Sequence, residues 1–138
     1  MDNPNNCVFC KILAGELPGT FVGEDERTVA FMDINPATRG HVLVIPRAHT
    51  VDLLSIDPDD LRAVALASQR QAVRAKERLG AEGVNLLNSC GALAWQTVLH
   101  FHMHVIPRYA DDPLRLPWVP VPGDPGEIAA AAQELTRK

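Results

Sequence analysis

The chain lacks most of the features that would place it in a broad functional class at once. It has no excess of positive charge: 13 Lys and Arg stand against 17 Asp and Glu, a formal net charge of −4. A protein that neutralises several phosphates of a duplex needs a basic patch, so nucleic acid is not an expected partner. Long apolar stretches are missing too. Runs such as Val42–Pro46 fall far short of the roughly 20 residues that cross a bilayer, and no membrane partner is expected. The opening Met1-Asp2-Asn3-Pro4-Asn5-Asn6 is polar and acidic, without the basic and apolar regions of a secretory leader. Cysteine is scarce, with three residues, an odd number that argues against a disulfide framework. The expectation is a soluble, cytoplasmic protein. What is present is 46% hydrophobic and 22% charged residues over 138 positions. That is the length of one domain, 1–138, able to bury about two-thirds of its unfolded surface.

Helix signals are clear. Asp57 suits an N-cap, Pro58 the first helical position, and Asp59 and Asp60 the positive end of the dipole. Small and apolar residues at 61, 64, 65, 68, 72, 75 and 79, with Gly80 as a stop, predict a helix of about 22 residues and about 33 Å. Asp124-Pro125-Gly126-Glu127 repeats this grammar before residues 128–135, with Glu127 at the capping-box position. A short helix is predicted over residues 8–14, ended by Gly15. Strand patterns cover 21–23 and 28–33 (a hairpin), 41–45 stopped by Pro46, 84–88, and 98–106 stopped by Pro107. Only the connection holding the long helix is long. This predicts an α+β fold with a mostly antiparallel five-stranded sheet, one long helix and one or two short ones. Residues 114–122 are Pro-rich and read as an extended tail lying over a surface.

The five histidines form two groups, His41 with His49, and His100, His102 and His104. Strand alternation would put the last three on one face with Val98 and Ile106, successive residues about 6.6 Å apart, and Leu99, Phe101, Met103 and Val105 on a core face. Three imidazoles in a row add little to packing, which favours chemistry over ordinary strand histidines. One ion shared by all three is disfavoured, because side chains spread over about 13 Å of strand cannot converge to bond lengths near 2.1 Å. Cys7-x-x-Cys10 has zinc-ligand spacing, the other ligands being free to come from anywhere in the fold. It precedes every predicted strand, whereas a redox pair would follow one. The plain alternative is two buried small residues on a short helix. Cys90 lies outside this set.

The run His100-Phe101-His102-Met103-His104-Val105-Ile106 resembles the signature of the histidine triad (HIT) family, and Gln96-Thr97-Val98 precedes it as the family's Gln-Ser/Thr-Val does. Phe31-Met32-Asp33-Ile34-Asn35-Pro36 and Gly40-His41-Val42-Leu43-Val44-Ile45-Pro46 match the family's first nucleotide-binding stretch, in the same order. The resemblance covers about residues 7–109, is nearest to the Hint branch, and leaves 110–138 as a C-terminal extension with a short helix. Trp95 stands where the family usually has a small residue, often Gly.

The resemblance implies a HIT-like fold, a homodimer formed through the long helix and a sheet edge, and a hydrolase or transferase acting at the α-phosphorus of nucleoside phosphoramidates or related nucleotidyl conjugates. The partner is then a purine nucleotide or conjugate with an AMP-like product. It implies attack by His102 and a covalent nucleotidyl-histidine, with His104, His100, Gln96 and Thr97 completing the catalytic set. Asp33, Ile34, Asn35, His41 and Asn88 join Gln96, Thr97, His102 and His104 in binding nucleotide. Cys7, Cys10, His49 and His100 would hold a structural zinc, with no organic cofactor. The residues alone permit such chemistry: neutral imidazole is a competent nucleophile near pH 7. Asp33 suits two ribose hydroxyls but equally a turn, and Ile34 suits a base or the core. A dinucleoside polyphosphate hydrolase, or a nucleotide-binding module with little turnover, for which Trp95 is the favouring feature, are the alternatives.

Overall fold

The computed structural model describes residues 4–138; the first three residues of the polar opening stretch lie outside it. Its helices are α1 (Val8–Leu13), α2 (Pro58–Leu79) and α3 (Pro125–Thr136), and its strands β1 (Phe21–Glu24), β2 (Thr28–Met32), β3 (Val42–Pro46), β4 (Gly83–Asn88) and β5 (Met103–Arg108). The strands form one sheet in the order β1-β2-β3-β5-β4, antiparallel at every pairing. The α+β expectation holds. Among the described residues no helix is long and apolar enough to cross a membrane.

Local chemistry explains α2. The Asp57 side chain accepts from the Asp59 N–H, Pro58 opens the first turn, and Gly80 closes the helix at φ +71°, a conformation only glycine adopts without cost. Its buried face carries Val64, Ala67, Ser68, Gln71 and Ala75, whereas Ala65, expected inside, is exposed. Two polar residues on this face find partners. Gln71 Nε2 lies 3.4 Å from the Val22 carbonyl, and Asp60 pairs with Arg27 at 2.8 Å.

The sheet is covered on both faces. Val64 and Ala67 of α2 join Val42, Val44, Phe101 and Val105 in one core cluster. Phe9 and Cys7 pack with Val29, Phe31, Leu43 and Ile45 in the other. This double burial is why β3 reads as a continuous apolar run and not as an alternation.

The last strand differs from expectation. It begins at Met103 and not at 98, and it runs through Pro107 to Arg108. Antiparallel pairing with β3 stops at Val44↔Met103. Two residues on, Pro46 has no N–H to offer, and its carbonyl is taken by the His100 ring at 2.9 Å. Residues 97–102 instead follow the 50–51 segment, with Phe101 N–H donating to the Thr50 carbonyl. Leu99, expected in the core, is therefore 40% exposed. Pro107 does not end its strand because β3 starts opposite Val105 and makes no demand on the missing donor. The tail also departs from expectation: residues 115–138 are exposed throughout and lie over no surface of their own chain.

Candidate active site

Two side-chain clusters flank the segment 97–104. The first joins α1 to the loop after β3. Cys7 caps α1, its sulfur accepting from the Cys10 N–H, so the first turn of the helix sets both sulfurs toward the loop. Cys7 Sγ lies 3.4 Å from His100 Nδ1, Cys10 Sγ lies 3.3 Å from His49 Nδ1 and 3.5 Å from His100 Nδ1, and all four ligand atoms fall within 4.8 Å of one another. A tetrahedral zinc with bonds near 2.3 Å to sulfur and 2.0–2.1 Å to nitrogen has S···N edges of about 3.6 Å. The set fits that ion. Because His100 Nε2–H donates to the Pro46 carbonyl, Nδ1 carries the lone pair and faces the sulfurs, which is how a second hydrogen bond orients a metal-binding imidazole. His100 is completely buried and does not share a strand face with His102 and His104. Its place is with the cysteines.

The second cluster lines a cleft of about 530 Å³ whose walls include Phe9, Ile12, Phe31, Leu43, Asp33, Thr97, His102 and His104. Gly40, at φ +86°, leads directly into His41, and a Cβ there would collide with the Leu79 side chain. Backbone groups then dictate the proton on each ring. His41 Nδ1 accepts from the Ala37 N–H at 3.0 Å, so a neutral His41 carries its proton on Nε2. That nitrogen lies 2.9 Å from His104 Nδ1, which must accept, leaving His104 with a donor Nε2–H. His102 Nδ1–H donates to the His100 carbonyl at 2.8 Å, leaving Nε2 with a free lone pair. Two rings 5.0 Å apart thus carry complementary functions, one a lone pair and the other an N–H.

The same bonds decide against a second metal. Asp33, His41 and His104 have ligand atoms close enough for an ion. Ligation through His41 Nε2 would move its proton onto Nδ1, opposite the Ala37 N–H. Two donors would then face each other in a buried site.

Burial holds the rings neutral. It pushes His104 down to about 4, with repulsion from His102 and His41 adding and Asp33 opposing. Burial also lowers His41 against the pull of Asp33, and lowers His102 against its bond to the His100 carbonyl and the Asp33 charge. A stability effect follows. Between about pH 6.5, where the unfolded imidazole titrates, and about 4, the unfolded chain binds the extra proton and the native chain does not. Stability should fall as pH is lowered through this window, His104 contributing on the order of 3 kcal/mol in all. Urea midpoints at a series of pH values should show a shallower decline for His104→Gln. An unchanged slope would contradict the neutral ring.

The remaining expected residues divide. Asp33 does form a turn, accepting from the Asn35 N–H at 2.8 Å through Oδ1, while Oδ2 lies 3.5 Å from His41 Nε2; it lines the cleft as well. Asn35 and Ile34 stand at its rim, and Ile34, 90% exposed, is not a core residue. Asn88 Nδ2 donates to the His102 carbonyl and so holds the backbone of that residue. Its buried Oδ1 has no partner. Gln96 was expected at the phosphate. Its side chain is instead consumed by the loop, accepting from the Gly91 N–H and donating to the Val51 and Val98 carbonyls. Thr97 lines the cleft. Trp95 is the one described non-glycine residue with positive φ, +76°, which costs a bulky L-residue roughly 1–2 kcal/mol; its ring is 62% exposed. Sequence reasoning passed over Phe9, whose ring packs edge-on to His102 at 5.1 Å, and the backbone groups of Ala37, Pro46 and His100. Backbone donors leave no trace in side-chain spacing.

Residues 14–111 match the HIT domain family. The chain belongs to the HIT family. Solved structures agree with this along nearly the whole length. A protein of Streptococcus mutans, 34% identical, superposes over 99% of this chain and 87% of its own with a TM-score of 0.91. A zinc-bound histidine triad family protein from Mycobacterium smegmatis, 40% identical, does so over 99% of this chain and 100% of its own at 0.78. A histidine triad nucleotide-binding protein from Candida albicans, 30% identical, covers 94% of each chain at 0.81. Within this HIT protein, the cleft holding His102 and His104 and the Cys/His cluster sit back to back, sharing the segment 100–104.

Proposed function

We propose that this HIT protein is a nucleotidyl hydrolase or transferase that cleaves nucleoside phosphoramidates or related conjugates through a covalent intermediate on His102. The observation that carries this reading is the tautomer pair: a bare Nε2 on His102 beside an N–H on His104, each enforced by the hydrogen-bond partner of its opposite ring nitrogen. His102 Nε2 forms a bond to the α-phosphorus while the bond from phosphorus to the leaving nitrogen or oxygen breaks, the leaving group departing with a solvent proton. Water then adds to phosphorus, the P–Nε2 bond breaks, and the proton returns to solvent. His104 Nε2–H donates to a phosphate oxygen where charge develops, and Thr97 stands at the same rim. The apolar walls receive the base, and Asp33 the ribose hydroxyls. The nucleotide-binding relative from Candida albicans supports the ligand class.

The reading includes a structural zinc on Cys7, Cys10, His49 and His100, supported by the geometry of the four ligands and by the zinc-bound relative. A closed set of four protein ligands leaves no position for water, so the ion supplies rigidity and not a nucleophile. It includes a homodimer, supported by the unpaired outer side of β4 and by exposed Leu66 and Val73 on α2. It places the protein in the cytoplasm, supported by cysteines that form no disulfide.

A panel of nucleoside phosphoramidates and dinucleoside polyphosphates tests the function: turnover of the former should exceed that of the latter. The reverse order would make this a dinucleoside polyphosphate hydrolase, and binding without turnover of either would make it a nucleotide-binding module. Asp33→Ala should weaken ribonucleotide binding about tenfold and narrow the difference between ribo and 2′-deoxyribo ligands, because an acceptor for the missing hydroxyl is then no longer present. Discrimination unchanged in the variant would leave Asp33 with its turn alone.

A further inference from the structure

The loop between β2 and β3, residues 33–41, carries the cleft residues Asp33, Ile34 and Asn35 at one end and His41 at the other. Its ends are tied to each other: Asp33 N–H donates to the His41 carbonyl at 3.0 Å, and His41 N–H to the Thr38 carbonyl at 3.3 Å. Its tip is tied to the body. The Thr38 hydroxyl donates to the Pro107 carbonyl at 2.6 Å, and the Tyr109 hydroxyl donates to the Arg39 carbonyl at 2.8 Å. Both anchors come from the far end of β5, the strand that carries His104 near its start. Pairing of β3 with β5 reaches only to Val42↔Val105, so the Pro107 carbonyl lies past that ladder, and the Thr38 hydroxyl takes it in place of a strand N–H. Gly40 permits the approach, since a Cβ there would stand 3.4 Å from Pro107 Cγ and 3.8 Å from the Tyr109 hydroxyl. Thr38 is buried, where an unmade hydrogen bond is costly.

What this clamp holds is a backbone donor. Ala37, the neighbour of Thr38 in the chain, gives its N–H to His41 Nδ1 at 3.0 Å. A neutral imidazole can carry its proton on either nitrogen, and the His41–His104 pair admits two directions. His41 Nε2–H can donate to His104 Nδ1 across their 2.9 Å contact, or His104 Nδ1–H can donate to His41 Nε2. Asp33 Oδ2 stands near both nitrogens, 3.5 Å from His41 Nε2 and 4.0 Å from His104 Nδ1, and accommodates a proton on either. In the reversed arrangement His104 Nε2 is a bare lone pair with nothing to give a phosphate oxygen. The Ala37 N–H selects the useful direction, because the reversed one sets a His41 Nδ1–H against it. That selection lasts only while the N–H stays in place.

We infer that Thr38 and Tyr109 are positioning residues of the candidate active site: their hydroxyls pin the tip of the 33–41 loop to the end of β5, and so keep the proton of His104 on the nitrogen that faces the phosphate. The inference rests on the tautomer pair of the proposed function and adds to it the side chains that set the pair. Neither residue lines the cleft. Each acts through the backbone.

Side-chain proton–nitrogen correlation spectra of the full chain tell a protonated ring nitrogen from a bare one, and at about pH 8 the imidazoles are neutral. Wild-type His104 should be protonated on Nε2. Thr38→Val keeps the shape and removes one donor; Tyr109→Phe keeps the ring and removes the other. Each should move His104 toward the Nδ1–H form, and the two together should bring about nine molecules in ten into it. Then kcat on a nucleoside phosphoramidate falls about tenfold while KM changes little. Thr38→Ser restores the hydroxyl and should restore both readouts. Tyr109→Phe, whose bond lies at the exposed surface, carries the test alone if the double variant does not fold. A merely structural clamp would lower the unfolding midpoint and leave the tautomer where it is. His104 still protonated on Nε2 in the folded variants therefore overturns the inference and leaves the proposed function standing. A shifted tautomer with kcat unchanged overturns it as well. A shifted tautomer in a chain whose wild type turns over no phosphoramidate keeps the clamp and ends the hydrolase reading. Wild-type His104 protonated on Nδ1 overturns the clamp together with the tautomer pair.

Discussion

His102→Ala is expected to abolish turnover by several orders of magnitude while nucleotide affinity survives. On the proposed mechanism the atom that bonds phosphorus is lost outright, whereas the apolar walls of the cleft and Asp33 are untouched. His104→Ala should cost less, about 10²–10³-fold, the size of losing one donor aimed at developing charge. His41→Ala should act through His104. Without its Nε2–H partner 2.9 Å away, His104 Nδ1 is free to take the proton, and the donor at Nε2 becomes an acceptor. Rapid acid quench of the wild type with α-labelled substrate should trap an acid-labile, base-stable phosphoramidate on the protein. An active enzyme with no adduct, or near-normal activity in His102→Ala, would refute covalent catalysis by this ring.

The second large effect concerns the metal. Purified protein should contain about one zinc per chain, and Cys10→Ser or His49→Ala should lose it. Removing an ion that binds only the native chain destabilises by about 4 kcal/mol at a thousandfold excess over its dissociation constant, and by more if it binds tighter. Chelation should therefore lower the unfolding midpoint sharply. Turnover of the fraction still folded should change far less, because a zinc on these four ligands would meet the proposed nucleophile indirectly, through the His100 carbonyl that holds His102 Nδ1–H and through Phe9 packed on the His102 ring. Protein that carries no stoichiometric zinc and whose midpoint ignores chelator would end the structural-zinc reading. Loss of turnover with no loss of stability would instead give the ion a catalytic place.

Much of this protein is determined locally and is therefore legible in its residues. The ends of α2 follow from Asp57, Pro58 and Gly80 because capping needs only neighbours along the chain. The apolar run of β3 implies burial on both faces, which the two core clusters supply. The Cys7-x-x-Cys10 spacing implies two sulfurs on one side of a helical turn.

Tertiary structure alone decided the rest. Period-two alternation assigned His100 to the face of His102, but alternation holds only while a ladder holds, and Pro46 ends this one by lacking a donor and giving its carbonyl to His100. Gln96 has the composition of a phosphate ligand, yet carbonyls at Val51 and Val98 claim its donors first. The proton on His41 is set by Ala37, a residue whose side chain carries no chemistry, through a backbone N–H that every non-proline residue possesses. Side-chain types can name the groups that could react. Which nitrogen keeps a lone pair depends on where the chain brings its backbone dipoles, and that is a property of the fold.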